Sequence, residues 1–360
     1  MGKIVALMSN PEPTSPSPER SETPLRLAKD SVEHSEVPLR FAKGTVGATM
    51  ILLLLGGIVT TIGAGMAVMG WLDAEGHFMP LFPFDKWFRD FATFSEHTHR
   101  MVGLVVGLLL IALVVATYLK DSRKLARRMT LIALIVVIGQ GTLGGFRVLE
   151  NSQHLAFLHG AIAQAVFATI WCTALVLLAS FRRGGTVAPE AASRLRKVGL
   201  FATLVIFGQV VLGAWFRHSI RHATTVESSG ATQFPMGAFI AHAMGAILVA
   251  GAALMLAKTV RTTWEQTEDE TIRKVLRRQE VWLHMCFGIQ FMLGLGALGM
   301  LGLERDAIPV VVLTTLHLLF GALLLSAAAA GCFWGVRLQT PGIRLSTDQP
   351  SLSLLKKTAP

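Results

Sequence analysis

Eight long apolar stretches, separated by short polar ones, decide what this chain can become. They fall at roughly 47–70, 93–119, 129–147, 155–181, 198–217, 236–257, 280–303 and 309–335. A run of about 20 apolar residues matches the hydrocarbon thickness of a bilayer. Inside a bilayer only a helix or a closed barrel pairs all of its backbone groups. The composition agrees: 16% of residues are charged, against about 25% in a soluble domain. The expected fold class is all-α integral membrane, with eight transmembrane helices.

Charge sets the expected orientation. Lys120, Arg123, Lys124, Arg127 and Arg128 follow the second stretch. Arg182, Arg183, Arg194, Arg196 and Lys197 follow the fourth, and Lys258, Arg261, Arg273, Lys274, Arg277 and Arg278 follow the sixth. The opposite loops hold far fewer cations, so the positive-inside rule places the basic loops and both termini in the cytoplasm. The net charge of +10 thus reads as membrane topology, and nucleic-acid binding is excluded as a function class. Residues 1–45 include PEPTSPSPERSETP and read as a disordered cytoplasmic tail. Their glutamates are unlike a mitochondrial transit peptide, which points to a bacterial plasma (inner) membrane. Residues 183–197 read as a cytoplasmic linker and 337–360 as a second cytoplasmic tail. Cys172, Cys286 and Cys332 all lie in apolar stretches, so no disulfide framework is expected.

Four histidines mark the chemistry. His99, His159, His242 and His317 occupy the second, fourth, sixth and eighth stretches. Each lies roughly 10 Å inside the start of its stretch at about 1.5 Å of rise per residue. An ionisable group inside a membrane helix is costly and is by default a functional candidate. Four at one depth suggest two facing pairs, the arrangement of a six-coordinate haem iron; the plain alternative is a polar residue bonding between helices. A methionine such as Met66, Met101 or Met244 is a further candidate axial ligand.

An internal repeat accompanies them. Gln140-Gly-Thr-Leu143-Gly144 precedes Phe146-Arg147, Gln209-Val-Val-Leu212-Gly213 precedes Phe216-Arg217, and Gln290-Phe-Met-Leu293-Gly294 recurs in the seventh stretch. Each is followed one stretch later by His159, His242 or His317. The repeat implies two related four-helix bundles of like orientation, 46–182 and 198–336. The glutamines themselves read first as packing residues, with glycine allowing close backbone approach and the amide bonding across helices. At Glu96-His97-Thr98-His99-Arg100 the two histidines point about 200° apart on a helix, so one face cannot use both. Glu96 and His99 share a face, which makes His99 the expected ligand and leaves His97 as the alternative. Arg100 is a partner either for a haem carboxylate or for a structural ion pair. Arg217, His218, Arg221 and His222 form either a solvated cluster or a propionate site.

These residues resemble the haem A synthase family over about 45–335. Gly56-Gly57-Ile-Val-Thr60-Thr-Ile-Gly63-Ala-Gly65-Met-Ala-Val68-Met-Gly-Trp71 looks like the family's first helix end and loop, and Glu96-x-x-His99-Arg100 its second-helix motif. The surroundings of His159, Gln209-x-x-Leu212-Gly213-Ala-x-x-Arg217-His218, Ala-His242-Ala-Met-Gly245-Ala and Thr-Leu-His317 resemble the fourth, fifth, sixth and eighth helices. The resemblance implies that His99 and His159 flank substrate haem O, that Glu96 acts beside the methyl group oxidised to a formyl group, and that His242 and His317 hold a resident haem B. Arg100, Arg147 and Arg217 would meet propionates. It also implies membership in terminal-oxidase assembly, with haem O synthase, assembly factors or a second copy as partners. The chain lacks the outer-loop cysteine pairs of some bacterial members. A di-haem b-type electron carrier and a haem transporter or chaperone are the competing readings.

Overall fold

The computed structural model describes residues 19–185, 187–225 and 234–339, with side chains described over 36–185, 187–220 and 234–338. Its elements are α1 (Glu19–Thr61), the strands β1 (Asp73–Ala74) and β2 (His77–Phe78), the short α2 (Phe84–Trp87), α3 (Phe91–Lys120), α4 (Lys124–Leu149), α5 (Gln153–Leu177), the short α6 (Ala179–Arg183), α7 (Pro189–Thr225), α8 (Met236–Glu265), α9 (Glu270–Gly299) and α10 (Ile308–Gln339). Eight of the helices are long and apolar enough to cross a membrane. The protein is an all-α, multi-pass membrane protein.

The first span is displaced from its expected position. It runs Glu36–Thr61 rather than 47–70, and α1 is helical back to Glu19, so the stretch expected as a tail to residue 45 is partly helix. Ala42 and Thr45 are buried against the rest of the protein. The helix stops where Gly63 takes a φ of 75° and the Ala64 N–H donates to the Val59 carbonyl at 2.9 Å. This left-handed cap closes the last turn, and the apolar residues after it build a loop. α7 likewise begins at Pro189, so the 183–197 linker is shorter than expected. Residues 1–18 and 340–360, which hold the start of the first expected tail and most of the second, lie outside the described residues.

Local chemistry explains the helix ends and the interior polar groups. Asp90, Ser152 and Asp269 cap α3, α5 and α9 through side-chain oxygens, satisfying N–H groups that the first turn leaves unpaired. Thr49, Thr61, Thr117, Thr169 and Thr314 each donate a hydroxyl hydrogen bond to the carbonyl four residues earlier, which pairs those hydroxyls inside the apolar spans.

Contacts run α1–α3–α4–α5 and back to α1, and α7–α8–α9–α10 and back to α7. α5 and α10 touch across the divide, as do α1 and α10, and α5 and α7. α5 is accordingly the most enclosed span, with 61% of its apolar window buried. The tightest packing lies toward the basic loops, where Leu110, Leu113, Phe167, Ile170, Leu195, Leu256, Leu276 and Trp334 are buried in one cluster. The four histidines sit nearer the opposite side and are only half-buried. The basic half is therefore a solid floor, and the polar site is built above it. The three cysteines are all free thiols, as expected.

The α7–α10 seam brings backbones together. A Cβ at Gly199 would lie 2.8 Å from the Cα of Cys332 and closer still to its nitrogen, whereas one at Gly251 would meet nothing within 4 Å. Overpacking of a close seam costs about 1–3 kcal/mol. Gly199→Ala should lower the apparent melting temperature of the protein in detergent, and Gly251→Ala should leave it unchanged or raise it. Equal melting curves for the two variants would show that this seam is not close-packed.

Candidate haem-binding site

Each histidine of the set rests in the same kind of cradle. His99 on α3 lies over Gly56 of α1, His159 on α5 over Gly144 of α4, His242 on α8 over Gly213 of α7, and His317 on α10 over Gly294 of α9. A Cβ at those glycines would stand 3.0, 2.8, 2.8 and 3.1 Å from the respective imidazole Cε1. The glycines therefore make room for a ring rather than for a neighbouring backbone, which corrects the glycine half of the packing reading; the glutamine amides do bond across helices. The residue one turn before each glycine supplies a polar contact. The side-chain nitrogen of Gln140 donates to the His159 carbonyl at 2.8 Å and lies 3.1 Å from Nδ1 of that ring. Gln209 treats His242 with the same two distances. His317 Nδ1 is 3.2 Å from the Gln290 carbonyl, and its Nε2 is 3.2 Å from the Gln290 side-chain nitrogen. His99 Nδ1 donates to the Leu52 carbonyl at 3.2 Å.

One pair of rings comes together. His242 and His317 have ring centroids 6.4 Å apart with planes at 78°. His99 and His159 are near enough for a charge on one to act on the other. Two imidazoles bound to one metal at about 2 Å each, with ring centres about 1 Å further back, would stand about 6 Å apart. Among the described residues no three His, Cys, Asp or Glu side chains gather to hold a bare ion. A histidine pair without further ligands fits a metal whose other four positions are filled by a macrocycle. The buried Oε1 atoms of Gln140 and Gln209 have no hydrogen-bond partner. A histidine ligating through Nε2 needs an acceptor for its Nδ1–H, which these amides could supply only by rotating out of their bonds to the His159 and His242 carbonyls. A metal at Nε2 of His317 would also displace the Gln290 contact there.

Glu96 and Arg100 do something else first. Glu96 is 1% exposed. Its Oε2 accepts from the Val68 N–H at 2.8 Å and its Oε1 from Arg100 at 2.8 Å. Arg100 donates in addition to the carbonyls of Gly70 and Val68, at 2.8 and 2.6 Å. Together they clamp the loop after α1 onto the start of α3. Of the two sequence readings of Arg100, the structure shows the ion pair, and three of the five guanidinium N–H groups are engaged in it and in the loop carbonyls. His97 is fully buried beside the Phe82 and Trp87 rings, at 4.7 and 4.6 Å, and neither of its ring nitrogens has a hydrogen-bond partner. Arg147 acts electrostatically on both His99 and His159 and donates to the Gly65 carbonyl at 3.3 Å. Arg217 acts on His317 and reaches from α7 to α1, donating to the Gly57 carbonyl at 3.1 Å and to Thr61. His218 stands edge-on to Phe157 of α5 at 5.9 Å, while the side chains of Arg221 and His222 lie outside the described residues. Sequence reading missed Leu52 and Gly56 as the fourth cradle, although Leu52-Leu-Leu-Leu55-Gly56 keeps the spacing and final Leu-Gly of the other three.

Comparison with known proteins decides the family. The model of the cytochrome oxidase assembly protein family COX15-CtaA matches residues 40–329. The chain belongs to this family. It is similar to proteins named heme A synthase: 27% identical over 172 residues to that of Exiguobacterium sp. strain AT1b, 28% over 176 to that of Alkalihalophilus pseudofirmus, and 29% over 254 to that of Symbiobacterium thermophilum. The matches take in 47%, 47% and 65% of this chain and 54%, 56% and 77% of the relatives. The chain thus spans about half the length of the first two.

Removing one member of a buried ion pair strands the other charge, at about 3–5 kcal/mol. Glu96→Ala should therefore destabilise the protein and expose the loop after α1 to limited proteolysis. Glu96→Gln, which keeps an acceptor, should lose clearly less. A Glu96→Ala protein with wild-type melting and proteolysis would show that the clamp is not formed.

Proposed function

We propose that this protein is a haem A synthase that oxidises a methyl group of haem O to a formyl group, giving haem A for terminal oxidases. The single observation that carries the haem reading is the four-fold recurrence of a histidine in a glycine cradle, with His242 and His317 at the spacing of two rings sharing a metal. The family and its relatives' name supply the reaction. In this reading the two histidine pairs divide the work between two related four-helix bundles. His99 and His159 flank the substrate haem O in the first, and His242 and His317 hold a resident haem B in the second. When bound, haem B supplies one-electron storage. Arg147 and Arg217, each within electrostatic reach of one pair, draw the propionates toward the side opposite the basic loops.

Glu96 keeps its place beside the reacting methyl group, but with a defined manner of action. Both carboxylate oxygens accept charge-assisted or buried hydrogen bonds from fixed donors. A carboxylate oriented this way by fixed donors can steady positive charge developing nearby. The positive-inside rule orients the basic loops to the cytoplasm in a bacterial plasma membrane. Haem O synthase and oxidase-assembly factors are the expected partners.

A di-haem electron carrier is the second reading. It is favoured by the engagement of Glu96 and Arg100 in the loop clamp, since such a carrier needs the histidine pairs and no reacting carboxylate. Co-expression with a haem O synthase in a host lacking its own haem A synthase, followed by chromatography of extracted haems, separates the two. The enzyme reading predicts hydroxylated and formyl haems. Haem O unchanged beside a normal low-spin haem B spectrum would establish the carrier. His317→Ala should lose most of the haem B retained by the purified protein, and full retention would remove His317 from the site.

A further inference from the structure

Three side-chain amides serve the histidines, and one of them is held differently. Gln140 and Gln209 donate to the carbonyls of His159 and His242 as well as facing Nδ1 of those rings. Gln290 lacks such a backbone anchor. The hydrogen bond of its side-chain nitrogen is to Nε2 of His317, at 3.2 Å. The other nitrogen of that ring, Nδ1, lies 3.2 Å from the Gln290 carbonyl. A carbonyl only accepts, so Nδ1 carries the proton and Nε2 offers its lone pair. That lone pair is what a metal would take. The Gln290 amide would then lose its acceptor, and a donor left unmet inside a membrane bundle is costly.

A second acceptor stands beside it. Gln164 is 8% exposed, and its buried Oε1 has no hydrogen-bond partner among the described residues. Gln164 lies on α5, across the divide between the halves, and meets Gly321 of α10, one turn past His317. A Cβ at Gly321 would stand 3.3 Å from Gln164 Oε1 and 3.3 Å from Gln290 Nε2. The two amides therefore border one gap, which the missing side chain of residue 321 leaves open. The repeat does not reproduce this arrangement. With His159 set against His317, Ala163 stands in the place of Gly321, and Ala322 in the place of Gln164. We propose that Gln164 is a positioning residue for the second histidine pair: it accepts the Gln290 N–H when His317 Nε2 binds haem iron, so that a residue of the first half helps the second to retain its haem. The inference rests on the haem reading above and goes beyond it by coupling the two halves. It also gives the unpaired Gln164 oxygen a partner, and it explains why an acceptor stands beside the one amide that a metal would displace.

Haem release tests the coupling. The full chain is purified with its haem in lipid nanodiscs, and transfer of haem to excess apomyoglobin is followed by absorption. Gln164→Leu, which keeps most of the volume and removes the acceptor, should speed release about fivefold, the factor that one ordinary hydrogen bond supplies. It should lower the melting temperature of the haem-loaded chain. The haem-free chain, made in a haem-deficient host, should melt as the wild type does or higher, because an unpaired buried acceptor has gone. Gly321→Ala, which puts a methyl group into the gap between the amides, should speed release likewise and carries the test if Gln164→Leu does not fold. Wild-type release rates from both variants, or an equal fall in melting temperature with and without haem, would overturn the proposal and leave the haem reading standing. A folded chain that gives no low-spin spectrum of a haem held by two histidines would sink both.

Discussion

The structure depends on how a histidine is made acceptable inside a membrane. An unpaired polar ring in hydrocarbon costs several kcal/mol, and a full-sized side chain on the facing helix would leave it no room. The solution used here is a pair of neighbouring helices in which a glycine opens space for the ring and the residue one turn earlier supplies a polar contact to its edge. Because the glycine and the polar contact lie on the same helix face, one short motif does both jobs. Its recurrence on α1, α4, α7 and α9 places the histidines of α3, α5, α8 and α10 at one level. Everything proposed about haem follows from that level and from the pairing within it.

The packed floor and the loop after α1 complete the site from below and above. Below, large apolar side chains toward the basic loops interlock, which fixes the helix spacing on which the ring separation depends. Above, the Glu96–Arg100 pair holds Val68 and Gly70, and His97, Phe82 and Trp87 fill the space beside it. The i, i+4 spacing of Glu96 and Arg100 pre-forms the pair on α3, so the helix itself recruits the loop. The carboxylate is thereby a structural anchor for the loop at the start of α3.

Much of this was legible from residue order alone. Length and hydropathy are enough for the eight spans, because a bilayer admits so few backbone solutions, and the shared depth of four histidines needs only the rise of a helix. Helix ends were harder. The apolar run after Thr61 continues to Trp71, and nothing in its hydropathy separates span from loop; the break is conformational and sits at Gly63. The meaning of the Gln-x-x-Leu-Gly repeat was half visible. That the amide bonds across helices follows from burial, but that the glycine serves an imidazole rather than a backbone depends on the rotation of the facing helix. The same holds for Leu52, whose significance appears only when its neighbour is known. The assignment of Arg100 to the loop was likewise undecidable from spacing, since the Val68 and Gly70 carbonyls it serves are backbone groups with no signature in the sequence.

The central claim is that His242 and His317 share one macrocycle-bound iron. It is tested most directly by an electron cryo-microscopy map of the purified protein in lipid nanodiscs. The account predicts a disc of density between the two rings with Nε2 of each on its central metal. A map in which the rings remain hydrogen-bonded to Gln209 and Gln290 with lipid or side chains between them, in protein shown chemically to contain haem, would contradict it.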